Sequence, residues 1–274
     1  MPESIPRELW YVYGIVVPEL SRAEAPAGLD DAAVHVEEEA GLGALVSMLD
    51  AREYGPTVLE TRSGSVEWLS PRAVAHDRVL TWASDHGPVI PLPMFSLFSG
   101  SSAVHSMLRE RAPQLAATLD RVRTGREYAL RVYRVDAELL AAVPSLSPRI
   151  ADLSRTAAAA STGQRYLLER KLEAASRAEM RTVTHRLVNE LVNALSPHAL
   201  DLVRSPLPRT ADVDPGSSGT MVLNAAFLVE GQALPAFQQT LTALVDAHRA
   251  HGLRFDFTGP WPPYHFVEDR RDAE

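Results

Sequence analysis

The chain has 274 residues, a formal net charge of −8, 46% hydrophobic and 23% charged residues, and no cysteine. This composition is typical of a soluble globular protein, and the length favours two domains over one. The missing cysteines exclude disulfides, thiolate catalysis and cysteine-ligated zinc, and the acidic balance argues against a nucleic-acid or anionic-membrane surface. The N-terminal residues contain no apolar run long enough for a signal or membrane segment, which predicts a cytoplasmic protein.

Residue patterns in the first half predict alternating strands and helices. This order predicts a compact α+β domain over residues 1–135, with helices on one face of an antiparallel sheet, close to a ferredoxin-like plan. The predicted elements are a strand at 10–17, a hairpin from 34–37 and 44–49 around Gly41-Leu42-Gly43, a helix opening at Ser70-Pro71 with Val74, Val79, Leu80 and Ala83 inward, a strand at 94–98, a helix at 103–119 interrupted near Pro113, and a strand at 127–135.

The longest periodic segment follows, from Gln164 to Ser196, with apolar residues at three- and four-residue steps. An unbroken helix of this length is roughly 50 Å long, which exceeds a small domain. We therefore expect it to form a helical hairpin with residues 136–162, which are Ala-rich and interrupted by prolines, or to span two domains. Its apolar stripe is first a packing surface, and a partner-helix surface is the second interpretation.

The residue patterns in the rest of the chain predict a second small α+β unit, which completes a C-terminal domain over residues 136–274. Its last strand and the strand at 220–229 are expected to lie parallel in one sheet, since a helix connects them. The predicted elements are a short strand at 200–203, an exposed loop at 204–219, a strand at 220–229, a helix at 233–251 closed by Gly252, and a strand at 253–258.

Gly259-Pro260-Trp261-Pro262-Pro263 follows the last predicted strand and is expected to end it, because prolines lack a backbone donor. Two interpretations of this rigid aromatic corner stay open. Its rings close the edge of a core, or they are offered to a partner. On the second interpretation the partner-binding residues are Trp261, Tyr264 and Phe266.

The nine histidines are poorly spaced for catalysis or metal binding. His248 and His251 lie one helical step apart near a helix C-terminus, where a positive charge is favourable. His76-Asp77 and Asp85-His86 are expected on an exposed polar face. The sequence contains no nucleophile elbow, zinc-protease motif, dinucleotide fingerprint or phosphate loop. We therefore predict no catalytic residues, no metal and no cofactor.

Five segments in order carry a resemblance to a known family: WYVYGIV, PVIPLPMFSLF, YLLERKLE, LNAAFLV and GPWPPYHFV. Together they resemble the gas vesicle protein F/L family over nearly the whole chain, from about Trp10 to Val267. The resemblance implies a cytoplasmic, non-enzymatic protein needed for gas vesicle formation. It also implies a ferredoxin-like N-terminal domain, a helical α+β C-terminal domain, and contacts with the hydrophobic shell protein and other accessory proteins.

One segment departs from the family pattern. Where the family's central strand carries Arg-Phe-Gly, this chain has Pro93-Met94-Phe95. The loss of a charged residue and a glycine puts in doubt any partner contact that uses this strand. Two alternatives remain beside a gas vesicle assembly protein: a small-molecule sensor or enzyme built on ferredoxin-like domains, and a scaffold that self-associates through its long helix.

Overall fold

The computed structural model describes residues 7–208 and 219–267. Spatial contacts divide the chain into two compact units, the first from the described residues of Met1–Glu127 and Pro260–Glu274, the second from Tyr128–Gly259. The second unit is therefore inserted in sequence between two pieces of the first. The domain division at residue 135 stays a prediction. These units differ from it in placing residues 128–135 in the second unit and in grouping residues 260–267 with the N-terminal part.

The first unit is built on an antiparallel sheet in the order β2-β3-β1-β4, with β5 also pairing with β1. Its predicted hairpin is confirmed. Ala40 and Gly41 form its tight turn with φ values of 53° and 77°, as a two-residue turn between twisted strands requires. The strands are β1 Glu8–Val16, β2 His35–Glu39, β3 Leu42–Asp50, β4 Val89–Pro91 and β5 Leu97–Phe98.

Helices pack on both faces of this sheet, and the prediction of helices on one face was wrong. Tyr11 and Tyr13 of β1 are buried with α3, whereas Val12 and Ile15 are buried with α4. A strand that is buried on both sides needs cover on both sides. The helices of the unit are α1 Ala51–Tyr54, α2 Pro56–Arg62, α3 Val66–His86 and α4 Ser101–Val122.

Two proline signals in this unit were misinterpreted. Helix α3 begins before Ser70-Pro71, because the Ser65 side chain accepts a hydrogen bond from the Trp68 backbone and caps the helix. Pro71 therefore lies inside α3, as Pro113 lies inside α4. Of the residues predicted to face inward, Val79, Leu80 and Ala83 are buried, whereas Val74 is 65% exposed.

The second sheet has the strand order β7-β8-β6-β9, and β7 pairs antiparallel with β8. The predicted strand–helix–strand at the end of the chain is present, with β6 between its two strands. The strands are β6 Gly125–Arg134, β7 Asp201–Arg204, β8 Thr220–Glu230 and β9 Leu253–Trp261. The helices are α5 Asp136–Leu146, α6 Pro148–Ala159, α7 Thr162–Leu195 and α8 Leu234–His248.

Strand β6 was expected to complete the first sheet, and its place in the second is a correction. Its Leu130 and Val132 are fully buried in the core of the second unit, and Tyr128 stacks on Phe257 with ring centroids 5.4 Å apart. Side-chain burial of this kind decides the pairing. The alternation of apolar and polar residues in β6 would be the same in either sheet, so the sequence pattern alone does not show which sheet the strand joins.

Strand β9 continues through Gly259 and Pro260 to Trp261, so the prediction that these residues end the strand was wrong. The physical reason is the position of β9 at an edge of its sheet. An edge strand has one side without ladder hydrogen bonds, and a proline there removes no needed donor.

The long helix α7 packs with α5 and α6 in the second unit, as the hairpin interpretation predicts. The break between α5 and α6 falls at Ser147, and Pro144 lies within α5. Glu179 of α7 accepts hydrogen bonds from Ser147 (3.1 Å) and Arg149 (2.6 Å). The break is thereby tied to the middle of the long helix.

The α+β class is confirmed, while the ferredoxin-like arrangement stays a prediction. Most of the exposed loop predicted at 204–219 lies outside the described residues. Among the described helices, none is both long and apolar enough to cross a membrane.

Candidate functional site

The aromatic corner lies at the end of β9, and its residues from Pro260 onward belong to the first unit. Pro262 and Pro263 are buried and lead into a 3-10 turn, Tyr264–Phe266. Phe266 is 3% exposed, whereas Trp261 is 40% exposed. Tyr264 packs against the core that contains Tyr11 and α3. Two of the three predicted partner-binding residues therefore also serve packing.

A buried carboxylate fixes this turn. Glu127 accepts hydrogen bonds from the His265 backbone N–H (2.9 Å) and from His265 Nδ1 (2.7 Å). Arg121 of α4 donates to the Phe266 carbonyl at 2.7 Å. Burial, and Asp77 beside it, raise the pKa of Tyr264, so its hydroxyl stays protonated and donates to Asp77 Oδ1 at 3.5 Å. The turn is held by directed bonds as well as by burial.

An open cleft of about 660 Å³ lies between this turn, helix α4 and the segment that follows β4. Most of its wall is apolar, and Arg111 and Gln114 contribute exposed polar groups. Its volume is within the range of about 300–1,000 Å³ that is usual for binding sites. The lining residues are His76, Ile90, Pro91, Leu92, Pro93, Met94, Arg111, Gln114, Leu115, Thr118, Tyr264 and Val267.

The segment that departs from the family pattern forms part of this wall. Pro93 and Met94 line the cleft, and Phe95 turns away from it in a left-handed conformation with φ 66°. Phe95 stacks on Trp68 with centroids 5.5 Å apart, and the Arg72 guanidinium lies 4.3 Å from the centroid of Trp68. A bulky residue tolerates this strained φ because packing holds it there.

His76 lies at the inner wall of the cleft and is almost fully buried. Its Nδ1 is 2.6 Å from the Tyr11 hydroxyl, and its ring stacks on Tyr13. Burial lowers the pKa of His76 to about 4, against the partial effect of a hydrogen bond to the Leu92 backbone. A neutral ring accepts from Tyr11 at Nδ1, and protonation there removes this bond. The prediction that His76 lies on an exposed polar face was wrong.

This burial predicts acid sensitivity of the first unit. In the unfolded chain the pKa of His76 returns to about 6.5, so between pH 6.5 and 4 the unfolded state binds one proton more. Stability from this group is full above pH 6.5 and falls by about 3 kcal/mol as the pH drops to 4. Urea unfolding at several pH values should show this slope in wild type and a flatter one in His76→Gln. The control His86→Gln, at an exposed position of α3, should keep the wild-type slope; a slope shared by all three would contradict the assignment.

Two further histidines, His248 and His251, lie at the C-terminal end of helix α8 and in the turn that follows it. His248 is buried at the end of α8, and burial lowers its pKa. The predicted favourable positive charge at this helix end is therefore wrong for His248, whose Nδ1 lies 3.4 Å from that of His251. Within the described residues, no group of three or more His, Asp or Glu side chains is arranged to hold a metal ion.

Sequence reasoning identified the aromatic corner and missed the cleft beside it. The structure brings Tyr264 to the cleft wall, places Phe266 in the core, and leaves Trp261 exposed on β9. Met94 and Arg111 were missed as lining residues. The alternate prolines before Met94 were the available signal, since they keep that segment out of the sheet.

The fold and the cleft define a two-unit α+β protein with an open, mostly apolar cleft in its first unit. A sequence model described as "Gas vesicle synthesis protein GvpL/GvpF" matches residues 9–268, and the chain belongs to this family. The predicted resemblance is confirmed, and with it a gas vesicle related role.

Individual relatives agree with the family assignment. The chain is 27% identical to gas vesicle protein L of a Streptomyces species, over 94% of this chain and 92% of that protein. It is 29% identical to gas vesicle protein F of a Streptomyces species, over 94% and 99%. Its fold is similar to the crystal structure of the gas vesicle protein GvpF from an Anabaena species, with a TM-score of 0.67, 19% identity and coverage of 96% and 98%.

Proposed function

We propose that this protein is a non-enzymatic gas vesicle assembly protein that binds the hydrophobic shell protein and other accessory proteins in the cytoplasm or at the vesicle. The open apolar cleft of the first unit is the observation that carries the proposal. Two of the segments that carry the family resemblance, the one around residues 90–94 and the C-terminal turn, form its wall together with residues of α3 and α4. We further propose that the first unit is a variant of the ferredoxin-like plan, supported by its strand order.

The chemistry of the cleft fits an apolar protein segment. Leu92, Met94 and Val267 offer partly exposed apolar surface, and their removal from water favours binding by about 25 cal/mol per Å². Methionine adapts its shape to different apolar partners. Arg111 and Gln114 stand at exposed positions, where they are able to pair with the polar backbone of a bound segment.

The aromatic corner has two roles in this proposal. Tyr264 forms part of the cleft wall, and Phe266 supports the turn from the core, so its effect on a partner is indirect. Trp261 is exposed enough for direct contact with a partner, and large aromatic side chains often dominate binding energy.

A charge in the cleft is expected to weaken binding of the shell protein. Met94→Glu places a carboxylate on the apolar wall, and its desolvation should raise the dissociation constant at least tenfold. Met48→Glu makes the same chemical change at an exposed methionine of β3 that does not line the cleft, and should change the constant less than twofold. Binding of purified protein to the shell protein, with circular dichroism to verify folding, measures both effects.

The outcomes separate the proposed surface from the proposed function. Equal binding by both variants would exclude the cleft and direct attention to Trp261, which a Trp261→Ala variant tests. Absence of binding by wild type would contradict the shell-protein interaction. The sensor or enzyme alternative has less support, because His76, the titratable group at the inner wall, is already engaged by Tyr11 and the Leu92 backbone.

A further inference from the structure

The N-terminal half of α7 is exposed in a way that the core does not explain. In the C-terminal half, Val183, Leu187 and Leu191 are buried in the core of the second unit. In the N-terminal half, Tyr166 is 63% exposed and Leu167 is 69% exposed. Large apolar side chains that stand together on an exposed helix mark an interaction surface more often than isolated ones do.

These two residues belong to one face of the helix. At 3.6 residues per turn, the following positions on the same face, toward the C-terminus, carry basic and small side chains. We call this face the basic stripe; it consists of Tyr166, Leu167, Arg170, Lys171, Ala174, Ala178 and Arg181. Every charged or small member of it is exposed, and the alanines allow another helix to approach closely.

The acidic residues of this half of α7 lie outside the stripe: Glu169 is exposed on another face, and the other two have ion-pair partners. Glu179 pairs with Arg149 at 2.6 Å, and Glu173 pairs with Arg177 at 2.7 Å. Among the described residues, no carboxylate forms an ion pair with Arg170, Lys171 or Arg181. The stripe is therefore a local basic and apolar face on a chain whose formal net charge is −8.

We propose that the basic stripe of α7 binds an acidic amphipathic helix of a partner protein. Complementary charge orients such a helix, and its apolar face covers Tyr166 and Leu167. Two copies of the stripe facing each other would place like charges together, which disfavours self-association through this face. The three basic residues of the stripe are fewer than the roughly four to eight that mark a helix binding anionic lipid, which disfavours a membrane surface as the occupant. This surface is independent of the cleft in the first unit.

A designed peptide tests the proposal. The probe is an amphipathic helix of about 18 residues, or five turns, made of Glu, Leu and Ala, acetylated at its N-terminus and free of lysine. We expect binding to the full chain that weakens as salt is raised. The double variant Arg170→Glu, Lys171→Glu should raise the dissociation constant at least tenfold, and Tyr166→Ala, Leu167→Ala should also weaken binding. The matched control Arg22→Glu, Arg204→Glu has the same net charge change at exposed positions outside α7 and should change it less than twofold.

Lys171 is the chain's single lysine, which allows the contact to be located. Carbodiimide condenses a peptide glutamate with an amine of this chain, and Lys171 and the N-terminus are the available amines. We expect the cross-link at Lys171 and a wild-type affinity for the peptide in Met94→Glu. Equal weakening in the control variant, a cross-link confined to the N-terminus, no preference over a scrambled peptide, or binding of anionic vesicles but not of the peptide would each overturn the proposal.

Discussion

Replacing Glu127 by alanine is expected to lower the free energy of unfolding of the first unit by about 3 kcal/mol. The change removes the acceptor of two hydrogen bonds from His265 and leaves a cavity beneath the C-terminal turn. Once these bonds are lost, the hydrogen bond from Arg121 to the Phe266 carbonyl remains to hold the turn. The expected result is a less stable unit whose turn is held by fewer hydrogen bonds.

Urea unfolding followed by tryptophan fluorescence measures this loss, because all four tryptophans belong to the first unit. Glu127→Gln keeps the side-chain volume and one acceptor oxygen, so it should lose less, about 1 kcal/mol. Glu53→Ala is the exposed control, since its ion pair with Arg62 lies at the surface, and should cost well under 1 kcal/mol. A Glu127→Ala loss no larger than that of Glu53→Ala would show that the turn does not depend on this carboxylate.

Alanine at Gly252 is expected to destabilise the second unit by about 3 kcal/mol. Gly252 closes the turn after α8 with a φ of 78°. A residue with a side chain adopts this left-handed conformation at a cost of about 1 kcal/mol. The added Cβ would also lie 2.7 Å from Glu138 Cβ and 2.8 Å from the Leu139 backbone nitrogen. Backbone atoms of α5 have little freedom to move, so overpacking adds about 2 kcal/mol.

Gly41 provides a matched control in the first unit. Its φ is 77°, almost identical to that of Gly252, but a Cβ there would meet no atom within 4 Å. Gly41→Ala should therefore cost about 1 kcal/mol, from the backbone conformation alone. Urea titrations followed by far-ultraviolet circular dichroism compare the two variants. Equal losses would show that the close approach of α5 to Gly252 is absent in solution.

Local patterns predicted much of the fold because they act over a few residues. Alternating apolar residues predict the β2–β3 hairpin, and apolar residues at helical spacing predict the long helix α7. A glycine after the last helix predicts the cap at Gly252, where φ is positive. All three are present. The starting residue of α3 was missed because a serine cap and a proline gave competing signals, and the weaker-looking Ser65 is the actual cap.

Features that depend on distant residues could not be derived in this way. The pairing of β6 depends on Phe257, far along the chain, and the alternation of β6 contains no information about it. The cleft joins Met94, Leu115 and Tyr264, whose separation in sequence hides their proximity. The burial of His76 likewise depends on Tyr11 and Leu92, so the histidine itself looks like a surface residue in the sequence.

The insertion of the second unit within the first has a consequence for synthesis on the ribosome. Glu127 and most of the cleft wall emerge early, but Tyr264, His265 and Val267 emerge after the whole of Tyr128–Gly259. At about 5–20 residues per second, this delay is on the order of ten seconds. During that interval the carboxylate of Glu127 has not met its partner and the apolar wall around Leu92 lacks its last side. The cleft is thus completed only after the whole second unit has been synthesised, so a product that ends before Tyr264 cannot present a finished cleft.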